Sequence, residues 1–147
     1  ELTGLPVNDL RQVHNPQPQR EVIFLGWLMA DNVMGYAKAS RFYKVRAVCQ
    51  VGMGPATRTA SDRLRQKLKL GPEVQVFTLQ GGFDIRRLHG PYKWIMQVKC
   101  REIRRNLESK ESLTPAQQLT YDMAAKGASA VKQENLTEIV NWYKTTL

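Results

Sequence analysis

The chain has 147 residues, of which 42% are hydrophobic and 24% are charged, and its formal net charge is +9. This length and composition predict a single globular domain, residues 1–147, with a substantial core. No apolar stretch is long enough to span a bilayer and no secretory segment opens the chain. Cys49 and Cys100 are predicted to be reduced and unpaired thiols of a cytoplasmic protein, and His14 and His89 lie too far apart in sequence to suggest a metal site.

Three short apolar runs each stop at a loop that contains glycine. The runs cover residues 22–27, 47–51 and 74–79 and begin about 26 residues apart, close to the length of a strand–helix–strand unit. Such runs predict strands buried on both faces of a parallel sheet, and ligands of open α/β sheets bind at the carboxyl ends of the strands. We therefore predict an α/β fold with a ligand crevice at these loops, whose apolar walls are Trp27, Met53 and Phe83.

Apolar spacing predicts helices between the strands. A short helix lies within residues 35–44, and a second has apolar residues at every fourth position from Ala60 to Leu68 and stops at Gly71–Pro72. Its start has three candidate caps: Thr57, Thr59 and Ser61.

A basic helical extension, residues 86–127, follows the third run. Residues 86–105 hold seven basic residues and one acid. Within the extension, residues 91–107 are predicted to form a helix whose inward face carries Tyr92, Met96, Cys100, Ile103 and Leu107. The Thr114–Gln117 segment has the pattern of a capping box, so a further helix should run to Lys126, and a last helix should cover residues 134–145.

The order and spacing of these motifs resemble flavodoxin-like domains. Three segments are similar to the third, fourth and fifth strands of that family with the loops that follow them: residues 24–39, 51–55 and 77–88. The extension from Gly90 to Gly127 and residues 131–143 are closest to the branch that contains menaquinone-dependent protoporphyrinogen dehydrogenases. The resemblance covers residues 21–144. It implies a three-layer fold around a parallel sheet of strand order 2-1-3-4-5.

The family pattern is incomplete near the start of the chain. Flavodoxin-like domains open with a strand and a Ser/Thr-Gly-rich loop that binds the flavin phosphate, and nothing before Val22 resembles that segment. Residues 1–7 would then be the second strand. The first strand, the phosphate loop and the first helix, about 40 residues, are expected to be missing from this chain. Alternatively, Leu2–Val7 pairs elsewhere, for example with another chain.

The resemblance implies one FMN, whose ring is held by three loops. The residues expected to contact it are Gly26, Trp27, Leu28, Met29, Gly52, Met53, Gly54, Pro55, Gly81, Gly82, Phe83 and Asp84. Without the phosphate loop, the chain is expected to bind FMN weakly or not at all. An FMN-dependent electron-transfer protein or oxidoreductase is the leading interpretation, and a flavin-free interaction or regulatory module of the same fold is the alternative.

Structural roles compete with flavin binding at several of these residues. Trp27 is equally compatible with ring stacking and with a partly buried core position. Met53 is better explained as a gap filler, and Asp84 as a turn or helix cap. No arrangement of residues suggests a catalytic group supplied by the protein itself.

The basic extension has three interpretations. A helix packed on its own domain is favoured, because its apolar face is no wider than packing requires. The second is a surface for anionic membrane or for porphyrin carboxylates, which would place the protein peripherally at a membrane. It would be formed by five basic residues beside four apolar ones: Lys93, Lys99, Arg101, Arg104 and Arg105, with Tyr92, Trp94, Ile95 and Met96. Nucleic-acid binding ranks last, because no such motif is present. A redox partner protein, a quinone or porphyrin-like substrate and a homodimer are compatible with the resemblance.

Overall fold

The computed structural model describes residues 3–29 and 32–146, which form an α/β fold. Its strands are β1 (Glu21–Met29), β2 (Asn32–Val33), β3 (Lys44–Gly52), β4 (Gln75–Gln80), β5 (Gly82–Phe83) and β6 (Ala128–Ser129). Its helices are α1 (Tyr36–Phe42), α2 (Arg58–Leu68), α3 (Pro91–Glu108), α4 (Pro115–Ala125) and α5 (Thr137–Thr146), with 3₁₀ turns at Leu10–Gln12, Ile85–Arg87 and Gln133–Leu136.

The chain divides into two compact units. Unit 1 contains the described residues of 1–51, 57–79 and 132–147, and unit 2 contains residues 52–56 and 80–131. None of the helices in the described ranges is both long and apolar enough to cross a membrane.

A mixed sheet of four strands, in the order β2-β1-β3-β4, organises unit 1. β1 and β3 are parallel, whereas β2 pairs antiparallel with the end of β1. The three apolar runs of the sequence are therefore strands, as predicted, and the first two are parallel neighbours. One residue of β3, Arg46, has no paired residue in β1 and forms a β-bulge between Val45 and Ala47.

The two faces of this sheet bury different helices, because successive strand residues point to opposite faces. On one face, Phe24 and Val48 belong to a core that includes Ala39 of α1 and Leu64 of α2. On the other face, Cys49 and Phe77 belong to a core with Ile139 of α5. Four partly buried residues pack against the second core: Ile23, Leu79, Leu136 and Trp142.

The prediction that the apolar runs are buried on both faces is wrong for β1. Its buried residues Phe24 and Gly26 alternate with Leu25 and Trp27, and both of these side chains are more than half exposed. On the edge of β1 away from β3, the neighbouring described strand is β2, which pairs only with Leu28 and Met29. The rest of that edge has no strand partner among the described residues.

The expected second strand is not formed in the part of it that the structure describes. Residues 3–7 have no strand structure, and Leu2 lies outside the described residues. The segment that follows is held to unit 1 by Lys38 of α1, whose ammonium donates to the carbonyls of Leu10 and Val13 at 2.8 and 2.7 Å.

Capping explains where α2 and α4 begin and where α2 ends. Thr57 caps α2 by accepting a hydrogen bond from the amide of Ala60, and the Thr114–Gln117 capping box is formed at α4 as predicted. The predicted end of α2 at Gly71 is wrong by two residues, because Lys69 already adopts the left-handed conformation (φ 51°) that closes the helix. The last helix is also shorter than expected, since residues 133–136 form a 3₁₀ turn before α5.

Unit 2 is built on the packing of α3 against α4 and the small β5–β6 sheet. Cys100 and Leu107 of α3 are buried, as are Met123 and Ala124 of α4. These residues confirm the predicted inward face of α3 at its centre and end. Tyr92 departs from that prediction, because its side chain is exposed.

A buried polar network ties β3, β4 and α2 together in unit 1. The Gln50 amide donates to the Thr78 hydroxyl at 2.8 Å and to the Ala60 carbonyl at 3.3 Å. The hydroxyls of Ser61 and Thr78 form a further hydrogen bond at 2.8 Å. Gln50 is only 3% exposed, so its amide has no access to water as a substitute partner.

We expect Gln50→Leu to lower the free energy of unfolding by about 1–2 kcal/mol, because it removes two buried hydrogen bonds. Urea denaturation followed by circular dichroism measures the loss. Gln66→Leu on the exposed side of α2 is the matched control and should change stability little. Equal stability of the two variants would show that the Gln50 network contributes nothing net.

Candidate functional site

Trp27 lies at the carboxyl end of β1, opposite Val51 at the end of the parallel strand β3. Its carbonyl accepts a hydrogen bond from the amide of Met34 at 3.0 Å, which holds the backbone of the strand end in place. Its side chain is 56% exposed. Unit 1 therefore presents a large aromatic ring on a fixed backbone at the edge of the sheet where α/β ligands bind.

The other predicted residues of this strand end have structural roles. A β-carbon at Gly26 would lie 2.5 Å from Cγ1 of Val33 and 2.9 Å from the carbonyl of Met34, so close packing excludes any larger residue. Leu28 and Met29 are half-buried and pair with β2. Of the four residues predicted here, Trp27 alone directs most of its side chain to solvent.

In unit 2, the loop from Gly52 to Pro55 is anchored by two polar side chains. The Gln80 amide donates to the Met53 carbonyl at 3.0 Å and also reaches α4, at the Ala116 carbonyl and the Thr120 hydroxyl. The Thr120 hydroxyl lies 3.0 Å from the same Met53 carbonyl. Sequence reasoning missed both Gln80 and Thr120, which are 40 residues apart and share no motif.

The second glycine loop of unit 2, Gly81–Asp84, is joined to the first by its backbone. The amide of Gly81 donates to the carbonyl of Gly52 at 2.8 Å, and the carbonyl of Gly81 accepts from the amide of Ala130 at 3.0 Å. Gly82 and Phe83 form β5 and pair with Ser129 and Ala128. The structure thus brings the two predicted loops of unit 2 together, and it engages much of their backbone in protein hydrogen bonds.

Asp84 caps a 3₁₀ turn, the role that the sequence favoured for it. Its carboxylate accepts from the amide of Arg86 at 2.9 Å and forms a bidentate ion pair with the Arg86 guanidinium. These contacts, chiefly the side-chain hydrogen bonds, lower the pKa of Asp84 to about 2. A carboxylate this acidic is fully ionised near neutral pH and is a poor proton donor or acceptor there.

We expect Arg86→Ala to raise the pKa of Asp84 towards its ordinary value, while the remaining amide hydrogen bond keeps it partly lowered. A carboxyl NMR titration measures the midpoint. Since the pKa is lowered by folding, the stabilisation from ionised Asp84 is present above pH 3.8 and is lost as the pH falls towards 2.

The matched control for that titration is Arg11→Ala, because Arg11 lowers the pKa of Asp9 to about 2 through the same arrangement. This variant should shift Asp9 and leave Asp84 unchanged. An unmoved Asp84 midpoint in Arg86→Ala would contradict the assigned cause.

Two glycines of unit 2 differ in what a side chain would meet. Gly127 has φ +83°, and a β-carbon there would lie 2.7 Å from Cγ of Asp84. At Gly54 a β-carbon would meet no atom within 4 Å. We expect Gly127→Ala to cost on the order of 1–3 kcal/mol in unfolding free energy, and Gly54→Ala to stay within about 0.5 kcal/mol of the original chain. Thermal unfolding of both variants tests this, and equal loss would contradict it.

The cysteines are free and buried. Burial raises the pKa of the Cys49 thiol to about 12 and also raises that of Cys100. Both thiols are therefore protonated and unreactive near neutral pH. Among the described residues, no group of three or more His, Cys, Asp or Glu side chains is placed to hold a metal ion.

Two open surface depressions lie outside the predicted loops. One, of about 290 Å³, is lined by residues of the α3–α4 connection in unit 2, and the other, of about 310 Å³, by residues between Gln133 and Asn141 in unit 1. None of the twelve predicted flavin-contact residues lines either depression.

Comparison of the chain with protein-family models, with curated proteins and with solved structures found no match.

Proposed function

We propose that this chain is an FMN-dependent electron-transfer protein or oxidoreductase of flavodoxin type, in which Trp27 stacks on the flavin ring. The supporting observation is the position and exposure of Trp27 at the carboxyl end of a parallel strand. The finer features of that fold, three layers and the strand order 2-1-3-4-5, belong to this proposal. The parallel β1–β3 pair, with β4 next to it, is consistent with the last three strands of that order.

Exposure of Trp27 needs an explanation because a tryptophan side chain is costly to leave in water. Trp142, in the same unit, shows the usual solution, since its ring packs edge-on against Phe77 with centroids 5.7 Å apart. Trp27 has an anchored backbone and a ring with no such partner among the described aromatic side chains. A flat, conjugated ligand would bury this ring and gain stacking energy.

The flavin would supply the redox chemistry when bound. The part of Trp27 is to orient the ring and to exclude water from one of its faces. Contacts from Gly52–Pro55 and Gly81–Asp84 of unit 2 to flavin stay a prediction. Within that unit, exposed Gly54 leaves room for close approach of a ligand.

The test is a titration with riboflavin and with FMN, followed by flavin fluorescence. Stacking of this kind is worth about 1 kcal/mol, so Trp27→Ala should weaken binding of both ligands about fivefold. Trp94→Ala is the matched control, because Trp94 is an exposed tryptophan on α3 of the other unit. Comparing the two ligands isolates the contribution of the phosphate, which is small if the chain lacks a phosphate loop.

Equal flavin affinities of the Trp27→Ala and Trp94→Ala variants would show that Trp27 does not contact the flavin. Urea midpoints of both variants should match that of the original chain, since both side chains are exposed, so a loss of affinity cannot be assigned to unfolding.

The alternative is a flavin-free interaction or regulatory module of the same fold. It is favoured by the loops of unit 2, whose carbonyls at Gly52, Met53 and Gly81 already accept hydrogen bonds from the protein. If the original chain binds neither riboflavin nor FMN, this alternative replaces the flavin proposal.

A further inference from the structure

Helix α3 of unit 2 has apolar side chains on two opposite faces. One face is the buried one that contains Cys100 and Leu107. On the opposite face Trp94, Ile95 and Val98 are 76%, 59% and 64% exposed. Spacings of three and four residues make these three side chains neighbours on the helix surface. The packing of unit 2 therefore accounts for one apolar face of α3 and leaves the other in water.

The exposed face continues into basic residues towards the end of the helix. Arg101 and Arg105 are exposed and follow Trp94 and Val98 by seven residues, so they extend the same stripe. No carboxylate of the described residues lies within ion-pair distance of either arginine. Lys99 differs, because it pairs with Glu102 at 2.9 Å. We call Trp94, Ile95, Val98, Arg101 and Arg105 the α3 surface.

We propose that the α3 surface binds the surface of an anionic lipid bilayer. Its apolar part would enter the boundary between headgroups and acyl chains, where tryptophan is favoured, and its arginines would contact lipid phosphates. A wholly apolar partner would leave the two arginines without an anionic group, whereas an anionic bilayer offers phosphates to the arginines and acyl chains to the apolar side chains. Charge complementarity thus selects the occupant.

The arrangement along α3 also predicts an orientation. Trp94 and Arg105 are separated by about 16 Å along the helix axis, with the apolar residues at the amino-terminal end. A tilted helix that places this end deepest would keep both arginines at the level of the phosphates.

The five basic residues that the sequence analysis assigned to a membrane surface differ in burial and in ion pairing. Lys93 and Arg104 are half-buried beside the packed face, and Lys99 is neutralised by Glu102. Arg101 and Arg105 alone of the five are fully available. The three apolar residues that complete the surface include none of the side chains on the predicted inward face.

Vesicle co-sedimentation tests the proposal. The original chain should pellet with vesicles of phosphatidylcholine and phosphatidylglycerol in equal parts, and it should stay in the supernatant with pure phosphatidylcholine or at high salt. Trp94→Ser/Val98→Ser and Arg101→Glu/Arg105→Glu should each weaken binding by at least about tenfold. Arg101→Gln/Arg105→Gln removes the positive charges without adding acids, so it should weaken binding less than the glutamate variant does. This variant separates the loss of the arginines from repulsion by the introduced carboxylates.

Two double variants are matched controls. Val7→Ser/Val131→Ser removes two exposed valines elsewhere, and Arg58→Glu/Arg63→Glu changes the net charge by the same amount on α2. Both should bind vesicles like the original chain. Circular dichroism should show the same helix content in all variants, because every substituted residue is exposed.

Three results would overturn the proposal. The first is that the original chain does not bind anionic vesicles. The second is that the control variants lose as much binding as the α3 variants, which would show that the effect is not specific to the α3 surface. The third is a different occupant, recognised in one of two ways. A dimer in sedimentation equilibrium that Trp94→Ser/Val98→Ser makes monomeric would identify a second copy. Binding of single-stranded RNA, without vesicle binding, that Arg101→Glu/Arg105→Glu abolishes would identify nucleic acid.

Discussion

Burial of β3 on both faces is the constraint on which unit 1 depends. Ala47, Val48 and Cys49 are completely inaccessible to solvent. Their side chains point alternately to the two faces of the sheet, so that Val48 belongs to one core and Ala47 and Cys49 belong to the other. The bulge at Arg46 sets this alternation, since it shifts the register between β1 and β3 by one residue. The central stretch Ala47–Cys49 tolerates no charge and no gap, so the flanking helices must pack against it for the sheet to be stable.

Local sequence was sufficient for the elements that carry their own signal. Three elements have a recognisable pattern within a few residues: the apolar run of β3, the apolar residues at every fourth position of α2, and the capping box of α4. The two-residue strands β2, β5 and β6 have no such signal, because only tertiary pairing creates them. The exposure of Leu25 could not be predicted from local sequence either. The apolar run around Leu25 is as apolar as that of β3, and the two strands differ only in the elements that lie beside them.

Glycine illustrates why the candidate site was only partly predictable. Gly26 and Gly82 interrupt apolar runs in a way that is typical of ligand loops, yet a β-carbon at either position would lie within 3 Å of a protein side-chain atom, of Val33 and of Ser129 respectively. Gly54 alone of these three has open space around it. A sequence records the absence of a side chain but not whether a ligand or the protein itself fills the space. The Gln80–Thr120 contact, made across 40 residues, lies beyond any local pattern.

The two exposed tryptophans are explained by different surroundings. Trp27 sits on a rigid strand end, where the backbone is fixed on both sides by pairing to β2 and β3, and that setting suits a ligand of defined shape. Trp94 sits on a helix beside exposed arginines, a setting that suits a broad, deformable and negatively charged surface. Rigidity favours stacking because little entropy is lost on binding, whereas a bilayer adapts to the helix and needs no shape match. Our two proposals therefore assign different kinds of partner to the same residue type, on the basis of the neighbouring backbone and charge.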